Sequence, residues 1–135
     1  MTFSEQKGTP TVLVLDDEPS MQVVLERLLR LHGFNPLNAG AVADATATAQ
    51  REDIQGFIVD LKLDQGESGL DLVDWLRLQR KYSMTPVFIL TGNLDLAEAE
   101  QTRIRRHRAY VFYKGQSLQL LMDYLKRLLI DANPH

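Results

Sequence analysis

Five polar residues in this sequence have the side-chain types that phosphoryl-transfer chemistry requires. Three are carboxylates, and the others carry a hydroxyl and an amine: Asp16, Asp17, Asp60, Thr91 and Lys114. Carboxylates packed together repel one another and favour a hard cation such as Mg²⁺, which prefers oxygen ligands. A carboxylate can also attack phosphorus and form an acyl phosphate, while the hydroxyl and the amine hold phosphoryl oxygens. These residues therefore indicate Mg²⁺-dependent phosphoryl transfer, provided that the fold brings them together.

Short apolar runs of strand length precede these polar residues. The runs are β-branched or aromatic and do not alternate with polar residues, which is typical of strands buried on both faces of a parallel sheet. They comprise Val12–Leu15, Phe57–Val59, Val87–Leu90 and Tyr110–Tyr113. A weaker run, Phe34–Asn38, contains Pro36, which is tolerated mainly on an edge strand. The sequence therefore predicts five strands.

Segments with a helical spacing of apolar residues separate the strands. Pro19 and Gly33 mark the start and the end of the first helix. Ser68 is a candidate N-cap for the third helix, and Asp95 with Glu98 resembles a capping box for the fourth. The predicted helices cover about 19–32, 41–51, 69–82, 95–106 and 117–131.

This alternation of strands and helices predicts an α/β fold with a doubly wound five-stranded parallel sheet, the flavodoxin-like (βα)5 arrangement. An edge strand in second place suits the strand order 2-1-3-4-5. In such a sheet the ligand binds outside the carboxyl ends of the strands, near the switch point between the first and third strands. All five polar residues are expected at this edge.

Composition and charge exclude several classes of protein. The 135 residues fit one domain, which we expect to span 11–131 between short tails at 1–10 and 132–135. There is no cysteine, which excludes disulfides, a thiol nucleophile and a thiolate metal site. The net charge of −3 does not favour a nucleic-acid or membrane partner. Because residues 1–10 lack the apolar core of a signal peptide, the expected location is cytoplasmic.

Four segments together resemble the receiver domain of two-component response regulators. They are VLVLDDEPS, FIVDLKLDQGESGLDL, PVFILTG and YVFYKG, and the resemblance covers residues 11–131. Each segment is a weak signal alone, but the four occur in the right order and each lies at a predicted strand end. The resemblance implies phosphorelay signal transduction, in which a sensor histidine kinase or a histidine phosphotransfer protein donates the phosphoryl group.

The same resemblance implies a metal site. Asp60 matches the phosphorylated residue and, together with Asp17, the direct ligands of Mg²⁺. Asp16 matches the acidic residue that acts through metal-bound water, and the backbone carbonyl of Lys62 matches the remaining protein ligand. The following segment, 64–68, is one residue longer than is usual in the family.

Around strand five the sequence both follows the family and departs from it. Thr91 matches the switch hydroxyl, and Lys114 matches the phosphate-binding lysine. The aromatic reporter that usually lies three positions before this lysine is replaced by Val111. Either the reporter is absent, or a bulge in the strand puts Tyr110 in its place. The usual proline after the lysine is Gly115, for which we expect a trans peptide bond.

A phosphorylation-controlled switch of partner binding is the predicted function, and the chain is not expected to be an enzyme. Phosphorylation would draw Thr91 toward the phosphoryl group and shift the face formed by helix four, strand five and helix five. An output protein or a second copy of the chain would bind this face, without direct contact to nucleic acid or membrane. The basic run 103–108 at the end of helix four is either solvated or a patch that docks a partner or binds phosphate.

Alternatives from other classes remain open. A degenerate receiver would bind partners without phosphorylation; Val111 and Gly115 favour this hypothesis, and the intact acidic set opposes it. A phosphatase with Asp16 as its nucleophile would carry a second acid two residues later, where Glu18 stands, but the rest of that pattern is absent. A flavin-binding protein is disfavoured because acids, and not a hydroxyl-rich loop, follow the first strand.

Overall fold

The strands form one parallel sheet in the order β2-β1-β3-β4-β5, which confirms the predicted flavodoxin-like topology. The structure is a computed structural model that describes residues 9–131. Its strands are β1 (Thr11–Leu15), β2 (Asn35–Ala39), β3 (Gly56–Asp60), β4 (Val87–Thr91) and β5 (Tyr110–Tyr113). The predicted tails lie outside the described residues, apart from Thr9 and Pro10.

Five α-helices connect and cover the strands. They are α1 (Pro19–Leu31), α2 (Val42–Arg51), α3 (Gly69–Leu78), α4 (Glu98–Arg106) and α5 (Leu118–Lys126), and one π-helical turn, Arg127–Asp131, follows α5. The chain leaves α1 through Gly33 at a φ of 91°, a conformation that favours glycine. The Ser68 hydroxyl accepts a hydrogen bond of 3.1 Å from the Leu70 amide, which confirms the predicted N-cap. None of the helices within residues 9–131 is long and apolar enough to span a lipid bilayer.

Two apolar clusters cover the two faces of the sheet. Phe57 and Val59 of β3 pack into the cluster under α2, α3 and α4, and Ile58 between them packs into the cluster under α1 and α5. This alternation follows from the geometry of a strand, in which successive side chains face opposite sides. Burial on both faces explains why the central strands read as unbroken apolar runs. Pro36 lies on β2 at the edge of the sheet, as predicted.

The third helix ends earlier than its sequence pattern predicts. The prediction extended it to residue 82, whereas α3 stops at Leu78 and a 3-10 turn, Arg80–Tyr82, follows. The break carries the Tyr82 ring into the core, where 2% of the residue is exposed. Its hydroxyl hydrogen-bonds to the carbonyl oxygens of Ala49 and Glu52, both at 2.7 Å. The free energy gained by burying the Tyr82 side chain therefore exceeds the free energy that continuation of α3 to residue 82 would provide.

The fourth helix begins later than predicted, at Glu98 and not at residue 95. The Asp95 amide donates to the Asn93 side chain at 2.9 Å, which holds this segment in a turn. Helical structure starts after Ala97, whose amide donates to the Glu100 carboxylate at 3.3 Å. The predicted capping pair of Asp95 and Glu98 is therefore wrong, because the local turn at Asn93 competes with the helix.

Candidate functional site

Four strands bring the predicted polar residues to one edge of the sheet. Asp16 and Asp17 follow β1, Asp60 and Thr91 are the last residues of β3 and β4, and Lys114 follows β5. One oxygen from each of the three carboxylates can be chosen so that all lie within 4.8 Å of one another. Because β1, β3 and β4 are adjacent and parallel, their carboxyl ends necessarily meet here. The predicted convergence is confirmed.

The Asp16 carboxylate is buried and only partly satisfied. The residue is 1% exposed, and its Oδ1 accepts a hydrogen bond of 2.9 Å from the Glu18 amide. Its Oδ2 is buried and has no hydrogen-bond partner among the described residues. Burial raises the pKa of Asp16 to about 6; the Glu18 amide opposes this shift, and the negative charge of Asp60 adds to it. A buried carboxylate with an unpaired oxygen is suited to receive a cation.

The Asp60 carboxylate has a cation beside it. The Lys114 Nζ lies 3.2 Å from Oδ1 of Asp60, which is 5% exposed. Burial raises the pKa of Asp60, and the Lys114 ammonium limits this rise. The Lys114 amide also donates to the Thr91 carbonyl oxygen at 2.8 Å, which fixes the lysine against the end of β4.

A cleft of about 280 Å³ opens over these groups. The Thr91 hydroxyl is buried at its wall and accepts a hydrogen bond of 3.1 Å from the Asn93 amide. The lining residues are Asp60, Lys62, Thr91, Gly92, Asn93 and Lys114. The cleft therefore presents a carboxylate, an ammonium group and a hydroxyl to one small ligand. Lys62 is at its rim, and the role of its carbonyl oxygen as a metal ligand stays a prediction.

Two contacts that shape the site were not foreseen from the sequence. Gly69, the first residue of α3, lies so close to β3 that an added Cβ would overlap the carbonyl oxygen of Asp60. The sequence feature that could have indicated this close approach is a glycine directly after the N-cap Ser68, where a helix-favouring residue would be expected. In addition, the Asp64 amide donates to Oδ2 of Asp17 at 2.5 Å. Nothing in the local sequence indicates this contact, which joins residues 47 positions apart.

The register of β5 decides between the two hypotheses for its aromatic residues. Phe88 pairs with Tyr110 and Ile89 with Val111, and the ladder continues without interruption to the end of the strand. Tyr110 therefore does not replace Val111 through a bulge; its ring stacks on Phe88, with 4.9 Å between the ring centroids. Val111 packs on the opposite face of the sheet, as its position predicts. The peptide bond between Lys114 and Gly115 is trans, as expected.

The five basic residues of the run 103–108, at the end of α4, differ in their contacts. Arg103 contacts the Asp74 carboxylate of α3 at 2.6 Å, and Nε2 of His107 lies 2.6 Å from its other oxygen. Burial acts to raise the pKa of Asp74, but the hydrogen bonds from His107 and Arg103 outweigh it and lower that pKa. Arg105 and Arg106 are exposed. Arg103 and His107 thus hold the C-terminal end of α4 on α3, whereas Arg105 and Arg106 face solvent. Arg108 donates a hydrogen bond of 3.2 Å to the Ser83 carbonyl oxygen.

The sequence is similar to known response regulators. A family model described as "Response regulator receiver domain" matches residues 12–126. The response regulator protein PilR of Pseudomonas aeruginosa is 36% identical over 97 residues, which cover 70% of this chain and 20% of PilR. The sensory/regulatory protein RpfC of Xanthomonas campestris is 30% identical over 117 residues, which cover 83% of this chain and 16% of RpfC. The chain thus spans a fifth or less of these two relatives.

Solved structures match the fold. The chemotaxis protein CheY4 of Vibrio cholerae superposes with a TM-score of 0.79 at 24% identity, over 90% of this chain and 99% of CheY4. The receiver domain of sensor histidine kinase PA1611 from Pseudomonas aeruginosa has a magnesium ion coordinated in its active site cleft. It superposes with a TM-score of 0.76 at 20% identity, over 90% of this chain and 98% of that domain. At these identities the match supports the fold and not the function.

Proposed function

The chain belongs to the response regulator receiver domain family, and from this we propose that it accepts a phosphoryl group on Asp60 from a histidine kinase or a histidine phosphotransfer protein. The observation that carries the proposal is the pairing of a buried carboxylate with an ammonium group: Asp60 is 5% exposed, and its Oδ1 lies 3.2 Å from Nζ of Lys114. Two further carboxylates, Asp16 and Asp17, stand beside it.

The expectation that the chain is not an enzyme is wrong as stated. The family match places it among phospho-acceptor domains, whose chemistry includes hydrolysis of their own acyl phosphate. Such a domain is therefore a switch with an autophosphatase activity. The rival hypothesis of a phosphatase with Asp16 as its nucleophile differs from this, because a receiver domain acts on the phosphoryl group that it carries on its own acceptor.

The carboxylate oxygens of Asp16, Asp17 and Asp60, here called the acidic cluster, suit a Mg²⁺ ion. Three carboxylates and one ammonium group leave a net charge of −2, which one divalent cation balances. The unpaired Oδ2 of Asp16 supports the fit, since an isolated buried carboxylate oxygen is costly. Asp17 and Asp60 would bind the ion directly, Asp16 through water and Lys62 through its carbonyl oxygen. The bound ion would supply positive charge that offsets the charge of the phosphoryl group.

Phosphoryl transfer then uses residues that already face the cleft. A carboxylate oxygen of Asp60 forms the new bond to phosphorus as the bond from phosphorus to the donor imidazole nitrogen breaks. Lys114 holds one phosphoryl oxygen by charge, and the Thr91 hydroxyl holds another by a hydrogen bond. Hydrolysis later breaks the acyl phosphate with water, which releases inorganic phosphate and restores the Asp60 carboxylate.

Signal output follows from a shift of residues near the cleft. When the Thr91 hydroxyl turns toward the phosphoryl group, it gives up its hydrogen bond from the Asn93 amide and frees the segment that leads into α4. Because β5 lacks an aromatic reporter at Val111, this segment and α4 carry the change. Receiver domains interact with histidine kinases and output domains; for this chain we propose docking of an output protein or a second copy on α4, β5 and α5, in the cytoplasm.

Beryllofluoride, a stable mimic of the phosphoryl group, distinguishes a phosphorylated receiver from a degenerate one. In the presence of Mg²⁺ it should bind the wild-type chain and shift the NMR amide resonances of Asp60, Thr91 and Lys114, followed by those of α4. Omission of Mg²⁺ is the matched control and should prevent these shifts. If the spectrum is unchanged with both present, the interaction-module alternative is favoured.

Mg²⁺ affinity is expected to fall at acidic pH. The pKa of Asp16, raised by burial to about 6, means that a proton competes with the cation below this pH. The apparent affinity should drop by up to about tenfold per pH unit below about pH 6. The folding stability of the metal-free protein depends on pH in the opposite direction. Because burial raises the pKa of Asp16, protonation of this carboxyl favours the folded state at low pH, and this contribution to stability is lost as the pH rises through about 6. NMR titrations with Mg²⁺ at several pH values measure the effect.

Asp16→Asn is the matched control for this pH profile, because it keeps the shape of the side chain and removes its titration. The variant should bind Mg²⁺ more weakly and with a flatter pH dependence than the wild-type chain. An equally steep profile in both proteins would assign the titration to another group and contradict the prediction.

A further inference from the structure

The loop between β3 and α3, residues 61–68, closes on itself beside the acidic cluster. The Leu63 amide donates to the Glu67 carbonyl oxygen at 2.9 Å, and Lys62 and Ser68 form an antiparallel bridge. Within this frame the segment Asp64–Gly66 forms a single 3-10 turn. The turn ends at Gly66 with a φ of 76°, a conformation that side chains disfavour. The loop therefore has a defined backbone.

Three contacts fix this loop to the rest of the domain. Leu63 is 8% exposed and belongs to the core cluster under α2, α3 and α4. A Glu67 carboxylate oxygen accepts a hydrogen bond of 3.3 Å from the Val42 amide at the start of α2. Ser68 caps α3 through its hydroxyl. The position of the turn relative to the sheet edge is thus determined by packing and by both neighbouring helices.

One amide of the turn reaches the metal-ligand candidate on another strand end. The Asp64 N–H donates to Oδ2 of Asp17 at 2.5 Å, and the carboxylate charge strengthens this hydrogen bond. The bond holds one Asp17 oxygen against the loop and fixes the orientation of the carboxylate. The other oxygen, Oδ1, is then presented in a constant direction. The donor is the backbone N–H of Asp64, so the exposed carboxylate of this residue takes no part in the contact.

We propose that the Asp64–Gly66 turn positions Asp17 as a metal ligand, so that Mg²⁺ affinity depends on a backbone amide of the β3–α3 loop. The inference rests on the proposed function, which supplies the Mg²⁺ site. A ligand that is already oriented loses less rotamer freedom when the ion binds. Groups that orient a metal ligand typically contribute about 10–100-fold to the affinity. Asp64 is a positioning residue that acts through Asp17.

Asp64→Pro removes this amide with little other change. Asp64 is the first residue of the turn, a position that proline favours, and Leu63 before it is extended with a ψ of 167°, as a residue before proline requires. Asp64→Ala is the matched control, because it removes the carboxylate and keeps the N–H. We expect Asp64→Pro to weaken Mg²⁺ binding by about tenfold or more and Asp64→Ala to change it by less than about threefold. The Tm of both variants should stay near that of the wild-type chain.

Mg²⁺ titration by NMR gives these affinities without any phosphoryl donor. Equal affinities for Asp64→Pro and Asp64→Ala would overturn the inference and leave the metal site intact. Failure of the wild-type chain to bind Mg²⁺ would overturn the proposed metal site and the inference with it. A second measurement needs no proline: in the metal-free protein, the Asp64 amide should exchange slowly with solvent, and Asp17→Ala should accelerate it while the β3 amides stay protected. Rapid exchange in the wild-type chain would also contradict the inference.

Discussion

Asp60→Asn should abolish phosphorylation of the protein by acetyl phosphate and Mg²⁺. The carboxamide has nearly the same shape as the carboxylate but no nucleophilic oxygen anion, so no acyl phosphate can form. Loss of the nucleophile should reduce the rate by more than about a thousandfold. Intact-protein mass spectrometry measures the result as the fraction of chains that carry one phosphoryl group.

Folding should survive this substitution. Burial raises the pKa of Asp60, which means that its charge is disfavoured in the folded state, and a neutral side chain removes that cost along with the repulsion from Asp17. Asp44→Asn is the matched control, because Asp44 is exposed on α2 away from the cleft and should leave phosphorylation unchanged. Phosphorylation of Asp60→Asn at the wild-type rate would show that another residue is the acceptor.

Gly69→Ala is expected to lower the free energy of unfolding by about 1–3 kcal/mol or more, although alanine normally favours a helix. A Cβ at this position would overlap the carbonyl oxygen of Asp60 and lie 2.5 Å from Cγ1 of Val59. Real Cβ atoms essentially never approach other atoms this closely, so α3 or the end of β3 must move. Since the end of β3 carries Asp60, the proposed acceptor, the rate of phosphorylation should fall as well.

Gly40→Ala provides the comparison, because a Cβ at Gly40 meets no atom within 4 Å. Urea denaturation should show a loss of stability for Gly69→Ala that is absent or small for Gly40→Ala. If the two variants are equally stable and phosphorylated equally fast, α3 has room to move away and Gly69 does not constrain Asp60.

The sequence by itself determined the sheet and the residues at its edge. Strands buried on both faces must be apolar at every position, and this signal is local, so each run could be read without knowledge of its neighbours. Pro36 marked the edge strand for an equally local reason, since it lacks an amide donor. The strand order could then be inferred from these runs. It predicted that Asp60, Thr91 and Lys114 lie close together, because the carboxyl ends of parallel strands are at the same edge of the sheet.

Helix ends were predicted less well because several local signals compete there. Asp95 and Glu98 have the spacing of a capping box, but the Asn93 side chain binds the Asp95 amide and delays the helix. The pattern of α3 extends to residue 82, yet burial of Tyr82 breaks the helix after Leu78. Which of these signals determines the end of a helix depends on the hydrogen bonds and packing contacts that each side chain can form. Those contacts are set by the folded structure.

Only the tertiary structure decided how the acidic cluster is held. The hydrogen bond between the Asp64 amide and Asp17 joins a backbone group to a distant side chain. Because a backbone amide is not specific to a residue type, the sequence does not indicate which amide will form such a bond. The close approach of Gly69 to Asp60 depends on the distance between α3 and β3, which packing of both elements sets. Chemistry at the site could be inferred from residue types at strand ends, whereas its orientation is fixed by contacts that exist only after folding.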